Sequence, residues 1–256
     1  MPTTITFLGT SSVTPGAGHD TASFIINRKY LVDTGWNAAI RMLSHGISPL
    51  DIEYLFFTHF HQDHYISLPQ VLFYRNQRSR DREHVPPLHI LGPEEDIERI
   101  VNLTTQFIQI EKLKGGFAHP ELHPLAAGAE FETAEFRIDT IRSIHPVPGL
   151  VYRFTDKETS KSVAFTGDTA YHPPIIELAR DADLLIHEAS HGPNRPSDTT
   201  WGHAGSPDAA EIAKAAKVKR LALIHCAEDG QEAAVDAARE IFENTFWPED
   251  GETVTL

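Results

Sequence analysis

The chain has a single cysteine, Cys226, in 256 residues. No internal disulfide can form, and a reducing cytoplasm is the expected compartment. Long apolar runs are also missing. No stretch approaches the roughly 18 residues needed to cross a bilayer. The opening Met1-Pro2-Thr3-Thr4-Ile5-Thr6-Phe7 has neither a basic region nor a long apolar core. Neither a membrane partner nor a signal peptide is expected. Basic charge is short as well: 22 Lys and Arg stand against 36 Asp and Glu, a formal net charge of −14. A chain that grips a polyanion usually carries a basic footprint. The densest basic cluster, Arg75, Arg78, Arg80 and Arg82, is broken by Asp81 and followed by Glu83. It reads as a solvated face, with a substrate-facing rim as the alternative. The acidity argues against a long nucleic acid as main substrate and leaves a small phosphate ester open. Repeats, linkers and low-complexity tracts are absent too, so one domain over 1–256 is expected.

What is present is histidine, 15 of it, in a chain with only two methionines and three tryptophans. Histidine is the commonest metal ligand and titrates near neutrality. Its positions decide what it does.

Side-chain periodicity predicts a strand over 4–8, ended by Gly9, and then a loop rich in Gly, Ser, Thr and Pro to Asp20. A hairpin turns at Asn27, Arg28 and Lys29. A helix over 37–45 stops at Gly46, and a buried strand over 51–58 feeds His59. A helix over 68–74, a strand over 88–93 and a helix over 94–110 follow. The later part is strand-rich, with candidates over 131–132, 136–144, 150–154, 162–166, 184–186, 221–224 and 252–256. Helices are expected over 174–179, 206–216 and 230–242, the second capped by Ser206 with Pro207 at its first position. Interleaved strands and helices make this an α/β chain whose helices cover both sheet surfaces.

The strongest chemical signal is His59-Phe60-His61-Gln62-Asp63-His64, directly after an apolar strand. In an extended loop, residues two apart project to the same side, so His59 and His61 can grip one ion. Asp63 and His64 are adjacent at a loop-to-helix turn and can diverge toward a second ion. Imidazole nitrogen and carboxylate oxygen suit zinc, with manganese or iron as alternatives. Two ions need further ligands, and strand ends are where to look. His145 follows the run Ile141 to Ile144, Asp168 follows Phe165-Thr166-Gly167, and His225 ends Leu221-Ala222-Leu223-Ile224. Asp33, in Val32-Asp33-Thr34-Gly35, fits a partner that orients a metal-bound histidine, or else a turn Asp at a strand end. His187 reads as structural and Cys226 as a small buried hydrophobe.

Taken in order, Phe7-Leu8-Gly9-Thr10, Thr58 to His64, Thr166-Gly167-Asp168-Thr169, His187-Glu188-Ala189, His203 and Ile224-His225 resemble the metallo-β-lactamase superfamily. The likeness is to its ribonuclease Z-like branch and spans nearly the whole chain. The resemblance implies an αββα sandwich of two mixed sheets flanked by helices, with two divalent metal ions, zinc foremost, at one edge. It implies that His59, His61 and His145 bind one ion, that Asp63, His64 and His225 bind the other, and that Asp168 bridges both. It further implies that Glu188 and His203 form a pair donating a proton to the leaving group. A carboxylate that raises an imidazole pKa suits a general acid. Hydrolysis would use a metal-bridged hydroxide, oriented by Asp63 or Asp168.

Two departures bear on substrate. Ribonuclease Z carries a long arm that grips transfer RNA, between the residues matching His145 and Asp168; here those are 23 positions apart and filled by strands. The branch's last histidine is followed by a basic, tyrosine-bearing stretch, where this chain has Cys226-Ala227-Glu228-Asp229. With the acidity, these set transfer RNA aside and favour a small-molecule ester, a small phosphodiester or a short nucleic acid. The runner-up is hydrolysis of carboxylic, lactone or sulfate esters. From another class come a non-catalytic metal-binding module and a di-iron redox module, although di-iron relatives typically have Glu where His61 stands. Relatives are often homodimers, and apolar residues near 68–74 would serve such an interface.

Overall fold

A computed structural model describes residues 2–113 and 116–256. The first part of the chain runs β1 (Thr4–Gly9), β2 (Ser23–Ile26), β3 (Tyr30–Val32), α1 (Ala38–Ser44), β4 (Tyr54–Phe56), α2 (Gln62–Tyr65), α3 (Leu68–Arg78), β5 (His89–Pro93), α4 (Ile97–Phe107) and β6 (Glu121–Leu125). The second runs β7 (Glu130–Glu132), β8 (Phe136–Arg142), β9 (Leu150–Asp156), β10 (Ser162–Phe165), α5 (Pro174–Leu178), β11 (Leu184–Glu188), α6 (Ser206–Ala216), β12 (Leu221–Ile224), α7 (Gln231–Arg239), β13 (Thr245–Phe246) and β14 (Thr253–Thr255).

Among the described residues the strands form two seven-stranded sheets, ordered β14-β1-β2-β3-β4-β5-β6 and β13-β12-β11-β10-β9-β8-β7. Each sheet is mixed in the same way. In the first, β14, β1, β2 and β3 pair antiparallel, and β3 through β6 pair parallel. In the second, β7 through β10 pair antiparallel, and β10 through β13 pair parallel. The parallel strands are joined by helices, as crossovers require.

Strand alternation sorts the apolar side chains into layers. Val163 and Phe165 of β10, Leu184 and Ile186 of β11, and Ala222 and Ile224 of β12 face the space between the sheets, with Phe7, Phe24, Tyr30, Phe56, Tyr152 and Phe154. Their neighbours Ala164, Leu185, Leu221 and Leu223 face outward against α5, α6 and α7. On the first sheet, Ile25, Leu31, Leu55 and Ile90 pack outward against α1, α3 and α4. The result is four layers, helix–sheet–sheet–helix, in line with the αββα expectation. Each buried large apolar side chain contributes about 1.5–3 kcal/mol. Among the described residues, no helix is long and apolar enough to cross a membrane.

Local expectations needed correction at four places. The strand expected over 51–58 is cut to Tyr54–Phe56, because Ser48 and Pro49 start a short 3-10 turn over Pro49–Asp51. α6 is capped by Gly205, whose N–H donates to Asp208 at 3.1 Å; Ser206 lies one position inside the helix, buried. β6 was not foreseen, since its His123 and Pro124 are poor strand signals; it is an edge strand, where a proline is tolerated. Arg75 does not belong to a surface rim. Its guanidinium is buried and donates to the carbonyls of Pro49 and Ile52 at 2.8 Å and of Pro86 at 2.6 Å, while burial lowers its pKa to about 10. In the apolar stretch near α3, Leu68, Val71 and Leu72 lie in the core and Phe73 is the exposed large side chain.

Candidate metal centre

In both sheets the parallel strands point their carboxyl ends toward one region, the place where open α/β sheets bind ligands. The loop after β4 brings His59, His61, Asp63 and His64. The loops after β10, β11 and β12 bring Asp168, Ser190 and His225, and the loop after β8 brings His145. A backbone bridge between His59 and Gly149 joins the two halves there.

Two groups of donors result. Ligand atoms of His59, His61, His145 and Asp168 lie within 4.8 Å of one another, as do those of Asp63, His64, Asp168 and His225. Asp168 belongs to both. In the first group, His145 Nε2 and His61 Nδ1 are 2.8 Å apart, and His59 Nε2 is 3.7 Å from Asp168 Oδ2. In the second, His64 Nε2 is 3.3 Å from Asp63 Oδ2 and 3.5 Å from Asp168 Oδ2, and His225 Nε2 is 3.2 and 3.5 Å from the same oxygens. Bonds of about 2.0–2.1 Å in a tetrahedron put donor atoms about 3.3 Å apart, so these spacings suit a common ion. His59 Nε2, His64 Nε2 and Asp168 Oδ1 are buried without a hydrogen-bond partner. Buried polar atoms are rarely left so, and here one belongs to each donor group and the third to the carboxylate the groups share, which fits residues that hold cations.

The opposite ring nitrogens explain why the imidazoles face inward. His64 Nδ1 donates to Asp33 Oδ2 at 2.8 Å. Asp33 also accepts from Thr58 N at 2.9 Å and Thr58 Oγ1 at 2.7 Å, which leaves the Thr58 oxygen to accept from His59 Nδ1 at 3.1 Å. His145 Nδ1 donates to the Gly202 carbonyl at 2.9 Å, and His225 Nδ1 to Ser190 Oγ at 2.9 Å. Ser190 Oγ in turn donates to Glu188 Oε2 at 2.6 Å. Each of these four rings therefore presents Nε2 to the centre, the arrangement that fixes ligand tautomers. Gly167 makes the approach of the halves possible. Its φ is +55°, and a Cβ there would lie 2.5 Å from Thr58 Cβ.

The electrostatics split the ligands. Burial pushes His59, His61 and His145 below the usual histidine range, so they are neutral. Burial also opposes charge on His64 and His225. The Asp168, Asp33 and Asp63 carboxylates outweigh it at His64, and Asp168 and Asp63 raise His225 to about 9. Burial likewise opposes charge on Asp63 and Asp168, but the surrounding histidines hold both carboxyls well below the usual range. Without metal, buried carboxylates are thus balanced by protonated histidines; divalent cations would take over that charge.

Beside the centre, His203 Nδ1 donates to Glu188 Oε1 at 2.9 Å and lies 3.9 Å from Asp168 Oδ2. Glu188 is buried and also accepts from Thr169 N at 2.8 Å. Burial disfavours charge on His203, but Glu188 raises its pKa above the ordinary value. His187 is fully buried, donates from Nδ1 to the Glu188 carbonyl at 2.8 Å and stays outside both donor groups. Cys226 is buried and free. All seven residues singled out as ligands converge, with Glu188 and His203 adjacent. Thr58 as an orienting hydroxyl, Ser190 and the Gly202 carbonyl were not singled out, and no local pattern marks them.

A four-layer sandwich with a histidine–aspartate centre at the strand ends defines a metal-site α/β protein of the metallo-β-lactamase architecture. Residues 28–226 match the family described as the beta-lactamase superfamily domain, and the chain belongs to that superfamily, in its ribonuclease Z-like branch. A ribonuclease Z of Pyrococcus furiosus is 29% identical, with 98% of this chain and 95% of that one aligned. Among solved structures, the metallo-beta-lactamase fold protein YhfI of Bacillus subtilis superposes with a TM-score of 0.84 at 24% identity, covering 100% of both chains. The short form of human tRNase Z superposes at 0.77 with 21% identity, covering 98% of each. These findings overturn the expectation that set transfer RNA aside. Ribonuclease Z aligns over almost its full length despite the acidity and the short span between His145 and Asp168.

Proposed function

We propose that the protein is a metal-dependent phosphodiesterase with two zinc ions, one held by His59, His61 and His145, one by Asp63, His64 and His225, and both by Asp168. The observation that carries the reading is the pair of donor groups sharing Asp168, with the Glu188–His203 pair alongside. The ions, when bound, supply a water acidified toward neutrality and positive charge for the phosphoryl oxygens.

The chain's own residues do the rest. Asp33 and Thr58 hold His64 and His59 in orientation. Ser190 links His225 to Glu188, so the ligand shell and the proton-donating pair are tied together. Glu188 engages His203 Nδ1 and leaves Nε2 to protonate the departing oxygen, the position a general acid needs. Asp63, kept ionised, orients the attacking water. Substrates are phosphodiesters, from small diesters to RNA.

The test is a metal count per chain and turnover of bis(p-nitrophenyl) phosphate, beside precursor transfer RNA and p-nitrophenyl esters of carboxylic, sulfuric and phosphoric (monoester) acids. Diester or RNA turnover with two metals per chain, lost in His61→Ala, supports the proposal. Turnover confined to carboxylic or sulfate esters, or a chain without metal, overturns it.

A further inference from the structure

A second cluster of metal-ligating side chains lies away from this centre. His89 opens β5 and Glu121 opens β6, neighbouring parallel strands that supply no donor to the centre. His89 and Glu121 are directly paired across the two strands, and Leu91 pairs with His123, so His123 sits diagonally from His89. Residues two apart in a strand share a face, which puts all three side chains on the side of Leu91 and Leu125, at the rim of the inter-sheet core.

We propose that His89, His123 and Glu121 form a separate site for a divalent transition-metal ion, which fastens edge strand β6 to β5. Their donor atoms lie within 4.8 Å of one another. His89 Nδ1 is 3.0 Å from His123 Nε2 and 3.4 Å from Glu121 Oε2. These are the spacings found within the main centre, and they match the edges of a tetrahedron with bonds of about 2.0–2.1 Å. The rings are held in place from both sides. Tyr54 stacks on His89 with centroids 4.9 Å apart, and Phe131 of the opposite sheet meets His123 edge-on at 5.2 Å. Two imidazoles with one carboxylate select zinc or a similar borderline ion over calcium and magnesium, and leave one tetrahedral position for water. Burial and the neighbouring His89 lower the His123 pKa, which keeps that ring neutral and able to bind. β6 needs such a fastening: among the described residues it pairs only with β5, and it contains Pro124.

The alternative for the same geometry is an imidazole pair joined by an N–H···N bond. Stripped protein is reloaded with zinc and desalted, and bound zinc is counted in the native chain, His123→Ala and Glu121→Gln. The site predicts one zinc fewer per chain in His123→Ala, with bis(p-nitrophenyl) phosphate turnover unchanged. Glu121→Gln, at a side chain 62% exposed, spares folding and weakens the same zinc. The loss is at least about tenfold, since even a partner that merely orients a ligand is worth about 10–100-fold in affinity. Equal zinc counts in the native chain and folded His123→Ala overturn the site. If His123→Ala does not fold, a zinc titration of Glu121→Gln indistinguishable from native overturns it instead.

Discussion

Both halves of the molecule follow one plan, antiparallel strands running into parallel strands with helices outside, yet they supply the centre differently. The first half delivers His59, His61, Asp63 and His64 from one loop after β4. The second delivers His145, Asp168 and His225 singly, from loops after three strands separated by helices and turns. A contiguous run is assembled by local backbone geometry. Single residues are assembled only when the sheet brings strand ends together. The first half therefore carries its ligands as a unit, and the second carries the residue both donor groups share.

The sharpest way to break the comparison is Asp168→Ala. Loss of the shared carboxylate removes several kcal/mol of charge stabilisation, so diester turnover should fall by more than about a thousandfold and metal content should drop at both groups. A protein that keeps its metals and its turnover would show that the halves work independently. His203→Ala should cost about 10²–10⁴-fold in kcat while metal content stays native, because it removes the proton donor and no ligand. Asp33→Asn and Ser190→Ala compare the halves directly. The first removes the carboxylate that engages His64 Nδ1 and the second the hydroxyl that engages His225 Nδ1, and each should lower metal affinity by about 10–100-fold in a competition titration with a chelator. Gly167→Ala attacks the contact between the halves. A methyl forced against Thr58 at positive φ should destabilise folding by about 1–3 kcal/mol, read from denaturant midpoints.

The smallest effect is in pH. Glu188 raises the His203 pKa, and the protonated ring is the donor. Turnover is then full below that pKa and lost as pH rises through it. Glu188→Gln removes the charge that holds the proton, so the alkaline limb of kcat should begin at lower pH. An alkaline limb that does not move would assign it to another group.

Much of the α/β order was legible because strands and helices announce themselves through periods of two and 3.6. Phe56, Phe165 and Ile224 could be placed in buried strands from their neighbours alone. β6 could not, because Pro124 and His123 make a strand only at a sheet edge. Arg75 likewise looked like surface charge among other arginines, and only the converging carbonyls of Pro49, Ile52 and Pro86 turn it inward.

The sequence by itself marked the candidate donors. His59 to His64 is a run whose spacing already separates two directions of approach, and His145, Asp168 and His225 stand singly after β8, β10 and β12. The tertiary structure alone decided that Thr58, Ser190 and the Gly202 carbonyl aim the rings, and it supplied the contacts behind what the family resemblance implied, Asp168 in both groups and His203 on Glu188. The physical reason is range. Side-chain periodicity is local and survives in a string of letters. A hydrogen bond between residues 25 or 57 positions apart exists only after the strand ends and loops that carry them have been brought together by the fold.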